Sequence, residues 1–250
     1  MIIREDMQQF TMIGQHDHAV LSGEIADRLV DGLFGGDAAQ VRYAVRQHDR
    51  AWIRLDRTPV WNDREHRPFS FFDYPLPPKL VLYRLGVDEV EEADAYAALL
   101  CSLHYTSFID IRSSDDPDCV EFTSLERERQ DRIRSAIGDP DEKRVSQHLK
   151  LLQLCDNLSL YVGMNEPGAE KRSEHPWFRN GVGKLADGKM REASWIDNET
   201  IRITPWLIES DFTASLPLKR VSKDAVQRLG IQRAYAEAKQ EVQTVTFTCR

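Results

Sequence analysis

The chain of 250 residues has little cysteine, no excess of positive charge and no long apolar run, and each shortage excludes something. Cys101, Cys119, Cys155 and Cys249 form no Cys-x-x-Cys pair, and Cys101 and Cys155 fall on apolar helical faces, so they read as reduced core thiols of a cytosolic chain. Lysine and arginine number 33 against 41 aspartates and glutamates, a formal charge of −8. That balance argues against broad binding to a nucleic-acid backbone, although it leaves room for a local basic pocket. No window approaches the apolar length of a membrane span, and Met1 to Asp6 lacks the stretch of a secretory signal, so a cytoplasmic protein with no membrane partner is expected. Gly-x-x-x-x-Gly-Lys-Ser/Thr, Gly-x-Gly-x-x-Gly after a strand, His-Glu-x-x-His and Gly-x-Ser-x-Gly are all missing. Nucleotide-triphosphate motors and Rossmann dehydrogenases are therefore disfavoured. Internal repeats and low-complexity tracts are also lacking, which speaks against a solenoid.

What is present is enough apolar material, 41 % of residues, for one large domain with a sizeable core. Alternation over residues 2–13 predicts one or two short strands, and apolar spacing then predicts a helix from about Gln15 to Leu33. Gly35-Gly36-Asp37 reads as a stop and a restart, with a second helix to about Leu55. Arg57 to Lys79 holds five prolines and several aromatics and reads as an ordered irregular loop, followed by a short apolar run from Leu80 to Leu85. Asp88 to Asp110 predicts a third helix, Ser124 to Ile137 a solvated one, and Asp141 to Met164 the best-patterned helix of the chain. From Trp195 onward alternation returns, interrupted by two helical stretches at Ser222 to Gly230 and Gln232 to Lys239. The expected fold is mainly α, with a small antiparallel sheet from the C-terminal third to which the N-terminal strand is a candidate addition. The expected parts are strands over residues 1–14, a helical core over 15–165 and an extension over 166–250 within the same globular unit.

Against this pattern stands an ordered set of polar residues in apolar helical phase: His18, His48-Asp49, His104 and Asp156. A polar group turned into a core needs a partner there, because leaving it unsatisfied costs roughly 1–3 kcal/mol. A shared metal ion is one such partner, and imidazole with carboxylate suits borderline or hard divalent ions such as manganese, zinc, nickel or iron. The plainer reading is a buried polar network without an ion. His16, two residues from His18, points to the other side of a helix, and Asp17 suits the charge at a helix start. His66 and His175 fall in proline-bearing loops. Arg46, Arg50 and Lys150 lie near the motif helices as candidate phosphate contacts, while Trp52 and the aromatics from Phe69 to Tyr74 are candidate pocket walls.

A His on one helix, a His-Asp pair about thirty residues on, and a distant Asp resemble the HD superfamily of helical metal-dependent phosphohydrolases, over roughly residues 15–165. The strings Gln15-His16-Asp17-His18-Ala19, His48-Asp49, Leu103-His104 and Leu151-Leu152-Gln153-Leu154-Cys155-Asp156-Asn157-Leu158-Ser159-Leu160 are also similar to a bacterial family of unknown function. The superfamily resemblance implies an HD-like helical bundle in which His18, His48, Asp49 and Asp156 hold one ion. It further implies that Asp49 bridges a second ion held by His104, and that water attacks a phosphate ester or phosphoanhydride of a small-molecule substrate. His148, eight residues before Asp156 on one helix and so about 12 Å from it, suggests a substrate contact or an extra ligand. With His104 it supplies the alternative of a di-iron oxygenase. A non-catalytic binding or structural protein with a degenerate site is the third reading, and the edge of the final sheet leaves homo-oligomerisation open.

Overall fold

A computed structural model describes residues 1–249. Two short strands, β1 (Ile2–Glu5) and β2 (Gln9–Ile13), lead into α1 (Gln15–Ala26), α2 (Ala38–Gln47) and the short α3 (Ile53–Arg57). A small hairpin of β3 (Trp61–Asn62) and β4 (Arg67–Pro68) precedes α4 (Leu76–Glu91), α5 (Ala95–Thr106), the single turn α6 (Ile109–Arg112), α7 (Pro117–Ala136) and α8 (Glu142–Met164). The last third holds β5 (Gly183–Lys184), β6 (Met190–Trp195), β7 (Thr200–Thr204), β8 (Phe212–Ser222), α9 (Lys223–Leu229), α10 (Ile231–Glu237) and β9 (Gln240–Thr248). No helix among the described residues is long and apolar enough to cross a membrane.

The expectation of a mainly α bundle with a small antiparallel sheet is overturned. Seven strands form one curled sheet in the order β1-β2-β8-β9-β7-β6-β5, and the β3-β4 hairpin is a second sheet. The large sheet is mixed, because β7 and β9 run parallel while its other neighbours are antiparallel. Both ends of the chain build it: β2 pairs with β8 through Phe10 opposite Val221 and Thr11 opposite Arg220. Along β8 buried Phe212, Ala214, Leu216 and Leu218 alternate with more exposed residues, as expected of a sheet covered on one face. Helices α1 and α8 lie against strands at the β1-β2-β8 end, and one continuous core runs from Leu21 and Leu152 to Leu216 and Phe247. A smaller cluster of Met1, Phe10, Met12, Val221, Val226, Ile231 and Ala234 fills the other side of β2 beneath α9 and α10.

Two helices differ from the sequence reading in ways that shape the site. The end of the segment read as loop and the short apolar run after it form α4, sixteen residues long, with Pro77 and Pro78 in its first turn. Proline is tolerated there, since the first N–H groups of a helix have no intrahelical acceptor. The expected helix from Asp37 to Leu55 is broken: α2 ends at Gln47, and Asp49 precedes a 3-10 turn over Arg50–Trp52. The first helix stops at Ala26 rather than Leu33, and the span read as the third, Asp88 to Asp110, is divided among the end of α4, α5 and the start of α6. Helix α7, read as solvated, buries one stripe of Cys119, Phe122, Glu126, Gln130 and Ile133.

Candidate metal centre

Three helices and one broken turn bring the polar set together. His18 stands in the second turn of α1, just after the β2 strand that anchors it, His104 is near the end of α5, and Asp156 is midway along α8. His48 closes α2 with helical dihedrals, and at Asp49 the chain leaves the helix with φ −108° and ψ 26°. On an unbroken helix adjacent side chains diverge by about 100°. The break lets both residues face one centre. His18, His48, Asp49, His104 and Asp156 are all buried.

His48 is the hinge of the arrangement. Its Nδ1 donates to the Val45 carbonyl at 2.7 Å, which fixes the ring and aims Nε2 inward. That Nε2 lies 3.4 Å from Asp156 Oδ1 and 3.9 Å from Asp49 Oδ2, and has no hydrogen-bond partner. The Tyr105 hydroxyl, from α5, donates to the His48 carbonyl and holds the backbone at the break. His104 Nε2 lies 3.5 Å from Asp156 Oδ2, and its buried Nδ1 is also unpaired.

His18, by contrast, is engaged at both ring nitrogens: Nδ1 lies 2.8 Å from Ser159 Oγ and Nε2 2.8 Å from Asp49 Oδ2. Ser159 Oγ is in turn within hydrogen-bond distance of the Asp156 carbonyl at 2.8 Å and of Ser22 Oγ at 2.7 Å, so the ring is held in place from α8 and α1. Gln15 Nε2 donates to the same Asp49 oxygen at 3.0 Å and orients it.

The charges move the titrations apart. Burial lowers the pKa of His48, but Asp49 and Asp156 outweigh it and raise the value to about 9. Burial dominates at His104 and brings it down to about 4 despite Asp156. Against the opposing effect of burial, His48 and its neighbours hold Asp49 below the usual carboxylate range and Asp156 at about 2. Two carboxylates thus stay ionised beside rings of opposite tendency.

These donors could hold a metal ion. Bonds of about 2.0–2.2 Å place neighbouring ligand atoms roughly 3 Å apart in an octahedron and about 3.5 Å apart in a tetrahedron. The set falls into two overlapping groups, His18, His48 and Asp49 on one side and His48, His104 and Asp156 on the other. The ligand atoms of each group lie within 4.8 Å of one another. The unpartnered Nε2 of His48 belongs to both.

Asp49, His104 and Asp156 open onto a cavity of about 560 Å³. Trp52, Phe71, Phe72, Tyr83, Phe108 and Trp177 supply aromatic wall, so Trp52, Phe71 and Phe72 take the part foreseen for them while Phe69 and Tyr74 lie outside it, and Lys79, Lys150 and Lys184 also line it. The other sequence candidates lie elsewhere. His148 is occupied, with Nε2 donating to the Phe34 carbonyl at 2.9 Å and Nδ1 accepting from the Tyr96 hydroxyl at 2.6 Å; burial lowers its pKa. Arg50 is paired to Glu89 and Arg46 to Asp27, and neither lines the cavity. His16 is half-buried off the cluster, and His175 stacks on Phe72 at the aromatic lip. Sequence reasoning missed Gln15, Tyr105, Ser159 and Lys79. Only Lys79 left a signal, being in helical phase with Tyr83, Gly86 and Val90 on the buried face of α4.

Residues 1–223, which include every residue of the cluster and its cavity, match the family described as Protein of unknown function (DUF3891), and the chain belongs to that family. No curated protein and no solved structure matches.

Proposed function

For this member of the DUF3891 family we propose a metal-dependent hydrolase, related in the logic of its site to the HD superfamily, that cleaves a phosphate ester or phosphoanhydride of a small molecule. The observation that carries the reading is the convergence of His18, His48, Asp49, His104 and Asp156, with His48 Nε2 buried and unpartnered and with Asp49, His104 and Asp156 opening onto a lysine-bearing cavity. His18, His48, Asp49 and Asp156 would hold a divalent ion, manganese, zinc, nickel or iron, and His104 with Asp156 would serve a second. An ion held there makes water a nucleophile near neutral pH and stabilises negative charge on phosphoryl oxygens.

The chain's own residues have separable tasks. Val45 and Ser159 fix the rings of His48 and His18, Gln15 orients Asp49, and Tyr105 pins the break that aims His48 and Asp49 together. The aromatic walls confine the substrate and exclude bulk water, which strengthens every charge interaction inside. A di-iron oxygenase loses its extra ligand, because both nitrogens of His148 are engaged with Tyr96 and Phe34.

Elemental analysis of protein purified without chelator or affinity metal tests this reading. Stoichiometric metal should be present, should vanish in a folded His48→Ala variant, and should accompany hydrolysis in a phosphoester screen. Metal-free protein whose melting is indifferent to chelator would leave a buried polar network and end the hydrolase proposal.

A further inference from the structure

The wall that α4 gives to the cavity carries a lysine in an unusual position. Lys79 has a side chain only 6 % exposed, and it is buried because it shares a helix face with Tyr83, Gly86 and Val90. An ammonium group offers three donors and is expensive to bury without acceptors. Lys79 Nζ has the Phe71 carbonyl at 3.4 Å and Asp110 Oδ2 at 3.6 Å, the first a long hydrogen bond and the second beyond one. Asp110 itself is 55 % exposed, so the pairing is loose and wet on one side.

Two further lysines line the same cavity, Lys150 on α8 and Lys184 on β5, and neither has an ion-pair partner among the described residues. The floor works the other way. Asp49 and Asp156 repel an anion, and one divalent ion cancels their two charges without surplus. Net attraction for an anionic ligand must come from the lysines.

The geometry points to Lys79 as the residue that grips a phosphoryl oxyanion of the substrate inside the cavity, with Lys150 and Lys184 drawing the anion through the mouth. The ligand class rests on the phosphoester reading, whereas the anion site is measurable without it. On binding, Lys79 exchanges two long contacts for charge-assisted hydrogen bonds of about 2.7–2.9 Å.

Inorganic pyrophosphate, titrated into chelator-treated protein and followed by the fluorescence of Trp52 and Trp177 in the cavity wall, provides the test. Lys79→Met should weaken binding about tenfold or more, as expected for hydrogen bonds to a charged group, and Lys79→Arg should keep most of it. Asp110→Asn should tighten binding both by releasing Lys79 and by removing a negative charge from the cavity wall, so the gain should shrink when combined with Lys79→Met. Wild-type protein that ignores pyrophosphate, or a folded Lys79→Met variant that binds equally well, would each overturn the assignment. Pyrophosphate binding through Lys79 in a protein that takes up no metal would sink the hydrolase and leave the anion site standing. Metal uptake with an indifferent Lys79 would do the reverse.

Discussion

His48 binds its proton more tightly in the folded chain than in the unfolded one, and the sign of its pH dependence follows from that. A raised pKa stabilises fully below 6.5, and the contribution is lost as pH climbs through about 9. Asp156, lowered from 3.8 to about 2, contributes fully above 3.8 and loses its share as the medium is acidified towards 2. Chelator-treated protein should therefore melt at falling temperature between pH 6.5 and 9. A bound metal displaces the His48 proton, so metal affinity should rise over the same interval and the loaded protein should be spared the decline. Thermal unfolding with chelator and with manganese across that range checks both signs. Parallel curves would mean that His48 and the metal do not compete.

At the level of elements, the pairing of α4 with the broken turn after α2 determines where Asp49 sits. Gly86 makes the close approach possible: a Cβ on it would stand 2.7 Å from both the Cβ and the backbone nitrogen of Ala51. Backbone cannot retreat as a long side chain can, so Gly86→Ala should destabilise the fold by ~1–3 kcal/mol and displace the turn that carries Asp49. Reduced metal content in a variant that still folds is the expected result; unchanged metal content and melting would show that the turn tolerates the shift. Tyr83 and Tyr105 reinforce the same junction, stacked with ring centroids 4.0 Å apart.

His18, His48, His104 and Asp156 were legible in the sequence because each is a polar exception within an apolar period, and Asp49 because it completes the His-Asp pair; such signals survive without knowledge of tertiary neighbours. Their supports were not. Ser159 matters through His18 and Tyr105 through the His48 carbonyl, pairings of residues distant in the chain. Helix α4 was hidden because Pro77 and Pro78 look like loop residues until their place in a first turn is known. The extent of the sheet was hidden for a related reason: alternation marks strands, but it does not reveal that β9 inserts between β8 and β7 or that β2 joins β8.

For the molecule as a whole, the helical segment read as the core of the chain is no self-sufficient body. Helix α1 packs on β8, α8 packs on β1 and β5, and the main core includes Leu216, Val245 and Phe247. A fragment of residues 15–165 should therefore keep much of its far-ultraviolet helix signal, lose near-ultraviolet dichroism and melt without cooperativity. A sharp transition in that fragment would instead establish an autonomous helical domain.

The pairing of β2 with β8 also sets a schedule. During synthesis, the strand that anchors the His18 helix waits for a partner made roughly 200 residues later, about 10–40 s at ~5–20 residues per second. Until then β2 has only the short β1 to pair with, and the sheet that supports the His18 helix is incomplete. Nascent chains should therefore complete the cluster only once β8 has left the ribosome, so any uptake of metal should come late in the making of each molecule.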